Sequence, residues 1–189
     1  MTPAVAIAIV PRANGQLALA NRPEPLTFQH ERRLGMAAPL KRSADVVWEG
    51  TIARGAGQLS GGSGAFSGFE VTAASRLGEP EGKTTPEELI AAAHATCFTM
   101  ALGSILAGRR TPPERLAVNA VVTLEDVDGR ITITTSELDV VGRVDGIDQA
   151  AFERATHDAE LSCPVSRALA GNVEIRTRSR LEDSVPASS

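Results

Sequence analysis

The segment from Pro86 to Leu106 constrains the fold of this chain more than any other. It begins with proline after Thr85, carries Glu87 and Glu88 in its first turn, and is followed by Gly108. These residues are start and stop signals of an α-helix. Apolar residues cover nearly the whole circumference of the predicted helix. We therefore expect it to be a central helix, buried along much of its surface.

The remaining segments alternate between strand and helix patterns. On the N-terminal side of the central helix we predict two strands joined by a Gly- and Ser-rich connection: Ala44 to Glu49, the connection Gly55 to Gly64, and Phe69 to Ala74. On its C-terminal side we predict a hairpin, two helices and a last strand: Val118 to Leu124, a turn at Asp128-Gly129, Arg130 to Val141, Asp148 to Leu161, a short helix from Pro164, and Val173 to Arg178. This order of elements predicts an α+β fold.

Length sets the domain organisation. The 189 residues, of which 42% are hydrophobic, are enough for one substantial core and one domain. We place that domain at residues 41–180. Residues 1–40 have no sustained periodicity and include a second methionine, Met36, so they are interpreted as a flexible extension or as the product of a misassigned start codon. Residues 181–189 are interpreted as a C-terminal tail.

Charge and hydropathy exclude several classes of function. A net charge of -4 and a pI of about 5.4 argue against a nucleic-acid-binding protein, which needs a basic face. We expect no membrane span, because no apolar stretch approaches the roughly 20 residues that a span needs and the longest helical candidate is broken by Glu, His and Thr. The apolar run from Ala4 to Val10 lacks a preceding basic segment and makes a poor signal peptide. We therefore expect a cytoplasmic protein.

Two cysteines are the candidate reactive groups. Cys97 lies within the predicted central helix and Cys163 directly precedes a proline. Each alone is well explained as a small buried hydrophobic residue. Together they favour redox chemistry, because a second thiol can trap a sulfenic acid as a disulfide. With His94 they offer three metal ligands, but a fourth is not evident, so we expect neither metal nor cofactor; His94 is interpreted as capping a packing or dimer surface.

Two motifs resemble those of the OsmC/Ohr family. The run from Thr85 to Leu102 is very like the signature helix of OsmC proteins, in which a Pro-Glu-Glu-Leu start leads to an Ala-His-Ala-x-Cys-Phe core. The second motif, Cys-Pro-Val-Ser at residues 163–166, follows at a separation typical of that family. The resemblance extends from about Ser43 to Arg178. It implies antiparallel sheets wrapped around two central helices in an intertwined homodimer.

The resemblance also implies a role for each site residue. Cys97 is similar to the peroxidatic cysteine, and Cys163 to the cysteine that resolves its sulfenic acid. Glu87 matches the carboxylate that positions an arginine beside the thiolate. Arg76 matches that arginine, and Arg54 is a second candidate because the Ohr branch takes its arginine from an early strand.

The implied activity is that of a dithiol-dependent peroxidase. Its substrate would be an organic hydroperoxide, its reductant an external dithiol such as a lipoylated protein, and its role oxidative or osmotic stress defence. Two alternatives stay open. One is a redox sensor or binding module that forms the disulfide without turnover, and the other is a structural dimer with inert thiols.

Overall fold

The computed structural model describes residues 9–11, 17–19 and 38–182. The chain divides into two units, Met1–Lys41 and Arg42–Ser189. In the first unit, β1 (Ile9–Pro11) pairs antiparallel with β2 (Leu17–Leu19). Most of the N-terminal extension and of the C-terminal tail lies outside the described residues, so their assignment stays a prediction.

The second unit begins with a small antiparallel sheet. Its three strands lie in chain order: β3 (Ala44–Glu49), β4 (Ala56–Gly61) and β5 (Phe69–Val71). The prediction of a connection over Gly55 to Gly64 is wrong, because most of it forms β4. This strand has no β-branched or aromatic residue, and pairing with strands on both sides holds it extended. Gly57 is also required there, since a Cβ would lie 2.9 Å from the Trp48 ring.

A short helix that the sequence did not predict follows the third strand. Helix α1 (Ala73–Leu77) replaces the end of the strand expected to reach Ala74. The cause is a capping box. Ser75 N–H donates to Thr72 Oγ1 at 3.0 Å, and Thr72 N–H donates to Ser75 Oγ at 3.2 Å. The cap ends the strand at Val71 and places Arg76 in the last turn of α1.

The predicted central helix is confirmed as α2 (Pro86–Gly108). Thr85 caps its first turn by accepting the amide of Glu88 at 3.1 Å. One stripe of the helix is buried: Glu87, His94, Phe98, Leu102 and Leu106. Residues 38–182 do not cover the opposite side, since Ala92 and Ala93 are exposed and Met100 retains 69% of its accessible surface.

Length and composition alone would allow α2 to cross a membrane. The expectation that no stretch approaches the length of a span is therefore wrong for this helix. A central helix of a water-exposed fold passes the same test. Helix α2 carries Glu87 and His94, and both are buried and hydrogen-bonded within the protein.

A second sheet and two helices complete the unit. They are β6 (Arg115–Val127), β7 (Arg130–Arg143), α3 (Gln149–Ser162), α4 (Pro164–Leu169) and β8 (Glu174–Leu181). The predicted hairpin is confirmed. Asp128 and Gly129 form its turn with φ of 52° and 77°, the left-handed conformation that such turns require. The last strand corrects a prediction, because β8 runs parallel to β7 and the sheet is mixed.

The parallel pairing follows from the crossover. A strand that returns through two helices re-enters the sheet in the direction of the strand it left. The helices cover one face of the sheet. The core is formed by apolar residues of α2, β7 and α3 and by the residues that follow β7 and α3: Phe98, Leu102, Leu106, Leu138, Val140, Val144, Phe152, Ala155, Ala159 and Cys163. This core fixes the positions of both cysteines.

Gly142 lets strand and helix approach closely within that core. A Cβ at Gly142 would lie 2.6 Å from Cε2 of Phe152, whose side chain is fully buried. We expect Gly142→Ala to lower the free energy of unfolding by about 1–3 kcal/mol, because the ring cannot move away in a packed core. Gly108→Ala, with nothing within 4 Å of its added Cβ, should change it by less than about 0.5 kcal/mol. Urea denaturation measures both, and equal midpoints would contradict the prediction.

Candidate active site at the Cys97 and Cys163 thiols

The fold brings the two cysteines together. Cys97 lies in the middle of α2 and is partly exposed, whereas Cys163 joins α3 to α4 and is fully buried. Both are free thiols, and Cys163 lies close enough to Cys97 to raise the pKa of that thiol. Two residues far apart in sequence thus form one dithiol pair.

Proline places Cys163 at the junction of two helices. A proline sterically disfavours helical backbone angles at the residue before it. Cys163 is accordingly extended, with φ -64° and ψ 118°. Pro164 then starts α4, where its missing N–H costs nothing. The sulfur of Cys163 serves as the N-cap by accepting the amide of Ser166 at 3.5 Å. The predicted interruption at Ser162-Cys163-Pro164 is confirmed.

Within one chain, the surroundings of Cys97 favour the neutral thiol. Burial raises the pKa of Cys97, the amide N–H of Val165 opposes this by donating to the sulfur, and the neighbouring Cys163 raises it further. The net effect is a raised pKa. A nucleophilic thiolate at neutral pH therefore needs an additional positive group.

Arg76 and Glu87 form a second pair, at the N-terminal end of α2. Arg76 donates to Glu87 Oε1 from Nη2 at 2.7 Å and from Nε at 3.1 Å. Glu87 is buried, and its hydrogen bonds and charge raise the pKa of Arg76. The structure thus brings the candidate carboxylate and this arginine together, and their role at the thiolate stays a prediction. Ten residues separate Glu87 from Cys97, which is about 15 Å along a helix.

The structure places Arg54 elsewhere. It lies in the turn between β3 and β4, where its amide donates to Thr51 O at 3.1 Å, and it lines an open cavity with Glu49 and Gly55. Among the described residues, no hydrogen bond joins its side chain to Glu87 or to a cysteine. Arg76 is thus the arginine that the fold attaches to the candidate carboxylate.

His94 has a place that the sequence interpretation missed. It is fully buried inside the chain, with Nδ1 at 2.7 Å from Ser136 Oγ and Nε2 at 2.9 Å from Ser166 Oγ. It therefore caps no dimer surface. Burial lowers the pKa of His94, although Glu160 partly opposes this, so the ring is neutral at neutral pH. Its spacing of three residues from Cys97, and that of Ser166 from Cys163, are the signals that could have indicated the link.

Residues 38–182 contain no assembled metal-binding site. No group of three or more His, Cys, Asp or Glu side chains in the described part of the chain is arranged to hold an ion. Both nitrogens of His94 are instead engaged by serine hydroxyls.

Comparison with known proteins gives consistent results. The family model described as OsmC-like protein matches residues 78–178. Peroxiredoxin OsmC of Escherichia coli (strain K12) is 38% identical over 136 residues, which cover 72% of this chain and 94% of the relative. Organic hydroperoxide resistance protein-like 1 of Staphylococcus epidermidis is 32% identical over 99 residues, covering 51% of this chain and 70% of the relative.

Solved structures share the fold at lower sequence identity. An organic hydroperoxide resistance protein OsmC from Legionella pneumophila superposes with a TM-score of 0.60 at 22% identity, covering 77% of this chain and 99% of the other. OhrB of Bacillus subtilis superposes with a TM-score of 0.57 at 23% identity, covering 73% and 98%. These similarities confirm the α+β fold predicted from the sequence.

Proposed function

The chain belongs to the OsmC-like protein family, and from that membership we propose that it is a thiol-dependent peroxidase that reduces organic hydroperoxides in oxidative or osmotic stress defence. The observation that carries the proposal is the pair of neighbouring free thiols at Cys97 and Cys163. The names of the relatives, a peroxiredoxin and organic hydroperoxide resistance proteins, support the same chemistry.

The partly exposed Cys97 is the attacking group and the buried Cys163 is the resolving group. The Cys97 thiolate attacks the terminal peroxide oxygen, the O–O bond breaks, and the alkoxide leaves with a proton as the alcohol. Cys97 is then a sulfenic acid. The Cys163 sulfur attacks Cys97, an S–S bond forms, and the sulfenic oxygen leaves as water. An external dithiol supplies the two electrons and two protons that restore both thiols.

Thiolate formation requires a cation, which we assign to Arg76. A guanidinium would stabilise the thiolate and donate hydrogen bonds to the departing oxygen. The distance of about 15 Å along α2 puts the Arg76–Glu87 pair out of reach of Cys97 in the same chain. We therefore propose that Arg76 serves the Cys97 of a second copy in a homodimer.

The uncovered side of α2 supports this pairing. In two antiparallel α2 helices, Cys97 of one copy faces Glu87 of the other when the helices cross at Ala92, the residue midway between them. Ala92 and its neighbour Ala93 are exposed, and such small side chains permit close approach. A two-fold axis at this crossing would create two equivalent sites.

The small sheet supplies a second surface for the same partner. Val46 on β3 and Phe69 on β5 both pair with Leu59 of β4 and so lie on the same face of this sheet, where they retain 55% and 47% of their accessible surface. Large apolar residues grouped in this way mark interaction surfaces in folded proteins. Covering them with a second copy would enclose the site and shield the thiols from water.

Consumption of hydroperoxide by the purified protein tests the proposed function. Cumene hydroperoxide and hydrogen peroxide should be supplied separately with dihydrolipoamide, with dithiothreitol as a second dithiol. We expect many turnovers per protein and a preference for the organic peroxide. Formation of a Cys97–Cys163 disulfide without turnover would identify a redox sensor instead, and thiols that stay unreactive would identify a structural protein.

The proposed location is the cytoplasm. There, dithiol reductants reopen a disulfide, and a two-cysteine chain keeps its thiols reduced between turnovers. The lipoylated protein inferred from the family resemblance is our proposed reductant, which is why dihydrolipoamide is the first dithiol in the assay.

A further inference from the structure

A buried hydrogen-bond network links the β-sheet to the helix turn that carries Cys163. The imidazole of His94 on α2 bridges Ser136 Oγ of β7 and Ser166 Oγ of α4, at 2.7 Å and 2.9 Å. His94 and Ser136 are fully buried, and Ser166 is 2% exposed. Three elements from distant parts of the chain are thus joined through one ring.

At its α4 end, this network lies next to both thiols. The amide of Ser166 donates to Cys163 Sγ at 3.5 Å, and the backbone of the preceding Val165 lies close enough to Cys97 to lower the pKa of its thiol. Both amides belong to the first turn of α4. A bond that fixes the Ser166 side chain therefore fixes the orientation of the two backbone donors.

We propose that His94 is a positioning residue that holds the first turn of α4 against α2, so that the amides of Val165 and Ser166 stay aligned with the sulfur atoms of Cys97 and Cys163. This role builds on the proposed peroxidase function, because aligned donors would stabilise the Cys97 thiolate and keep the resolving sulfur within reach. It also concerns the thiols themselves, and so it can be tested without any peroxide.

The neutral ring suits the bridging role. A neutral imidazole has one donor and one acceptor nitrogen, and a serine hydroxyl can take either role, so both tautomers satisfy the network. An apolar residue of similar size could fill the space, but it would leave two buried hydroxyls without His94 as a partner. His94 therefore fixes the positions of the two serine side chains, in addition to filling the space between them.

Two serine variants form a matched test. Ser166→Ala and Ser136→Ala each remove one hydroxyl and one hydrogen bond to the same ring, but only Ser166 lies on the turn that contacts the thiols. The measurement is the rate of Cys97 alkylation by iodoacetamide as a function of pH, with the modified site assigned by peptide mass spectrometry.

Loss of an aligned donor should raise the pKa of Cys97, because a hydrogen bond to sulfur favours the charged form. We expect Ser166→Ala to move the midpoint of the alkylation profile upward by about one pH unit, and so to slow alkylation at pH 7 about tenfold. Ser136→Ala should stay within about threefold of wild type at pH 7, although both variants lose similar stability.

Two substitutions of His94 itself give an independent check. The amide of asparagine lies near the position of Nδ1 and can retain Ser136, whereas the amide of glutamine reaches toward Nε2 and can retain Ser166. We expect His94→Gln to alkylate more nearly like wild type than His94→Asn does.

Specific results would overturn the positioning role. It is wrong if folded Ser166→Ala has the wild-type alkylation profile, or if Ser136→Ala shifts the profile as far as Ser166→Ala does. Because the readout is thiol ionisation, it gives its answer even if the protein consumes no hydroperoxide. Failure of the peroxidase proposal and failure of the positioning role are therefore separate outcomes.

Discussion

Cys97→Ser should abolish the consumption of organic hydroperoxide, with a loss of about 10³-fold or more in turnover. A serine hydroxyl fits the site but is not ionised at neutral pH, and it cannot be oxidised to a sulfenic acid. Steady-state peroxide consumption in the presence of dihydrolipoamide measures the loss.

Cys163→Ser is the matched control for this prediction, because it also exchanges one sulfur for oxygen. Without added dithiol it should still reduce about one equivalent of hydroperoxide per chain and then stop at the Cys97 sulfenic acid, since Cys97 remains able to attack. A chemical probe for sulfenic acid should label Cys97 in this variant. Wild-type turnover in Cys97→Ser would refute the assigned mechanism.

Arg76→Ala should lower kcat/KM by about 10²–10³-fold, the usual cost of removing one group that stabilises transition-state charge. Arg154→Ala removes an exposed arginine from α3 and should leave kcat/KM at the wild-type value. The pH at which activity reaches half its maximum should rise in Arg76→Ala, because burial then raises the pKa of Cys97 without a compensating cation.

Mixed dimers would show whether Arg76 acts within its chain or on the other. Co-expression of Arg76→Ala and Cys97→Ser with two different affinity tags yields dimers that contain one copy of each. If Arg76 serves the other copy, one of the two sites in each mixed dimer is intact, and about half of the wild-type activity returns. Residual activity no higher than that of the two parents would place Arg76 in the same chain as the cysteine it serves.

The sequence predicted those parts of the fold that depend on local signals. Helix α2 has a cap, an N-terminal proline and a terminal glycine, and the hairpin turn at Asp128-Gly129 has two residues that accept left-handed geometry. Strand β4 escaped prediction because its partners on both sides, and not its own composition, hold it extended. The parallel direction of β8 depends on how the helices pack, which no single segment encodes.

The residues of the candidate site also differ in how far the sequence could predict them. The cysteines and Glu87 could be selected because they stand in two motifs, whereas Arg76 was selected only through the family resemblance, with Arg54 as a second candidate. The buried role of His94 was missed, because its partners lie 42 and 72 residues further along the chain. The separation of about 15 Å between Glu87 and Cys97 could already have been inferred from their ten-residue spacing on a predicted helix.

The parallel pairing of β8 with β7 has a consequence for biosynthesis. Thr135 to Gly142 are joined to Glu174 to Leu181 only after the whole crossover has been synthesised. A ribosome-bound chain can form the β6–β7 hairpin early, but it cannot complete the sheet under α3 and α4 until Leu181 has left the exit tunnel. The buried environment of Cys163 is therefore one of the last features to form in a newly made molecule.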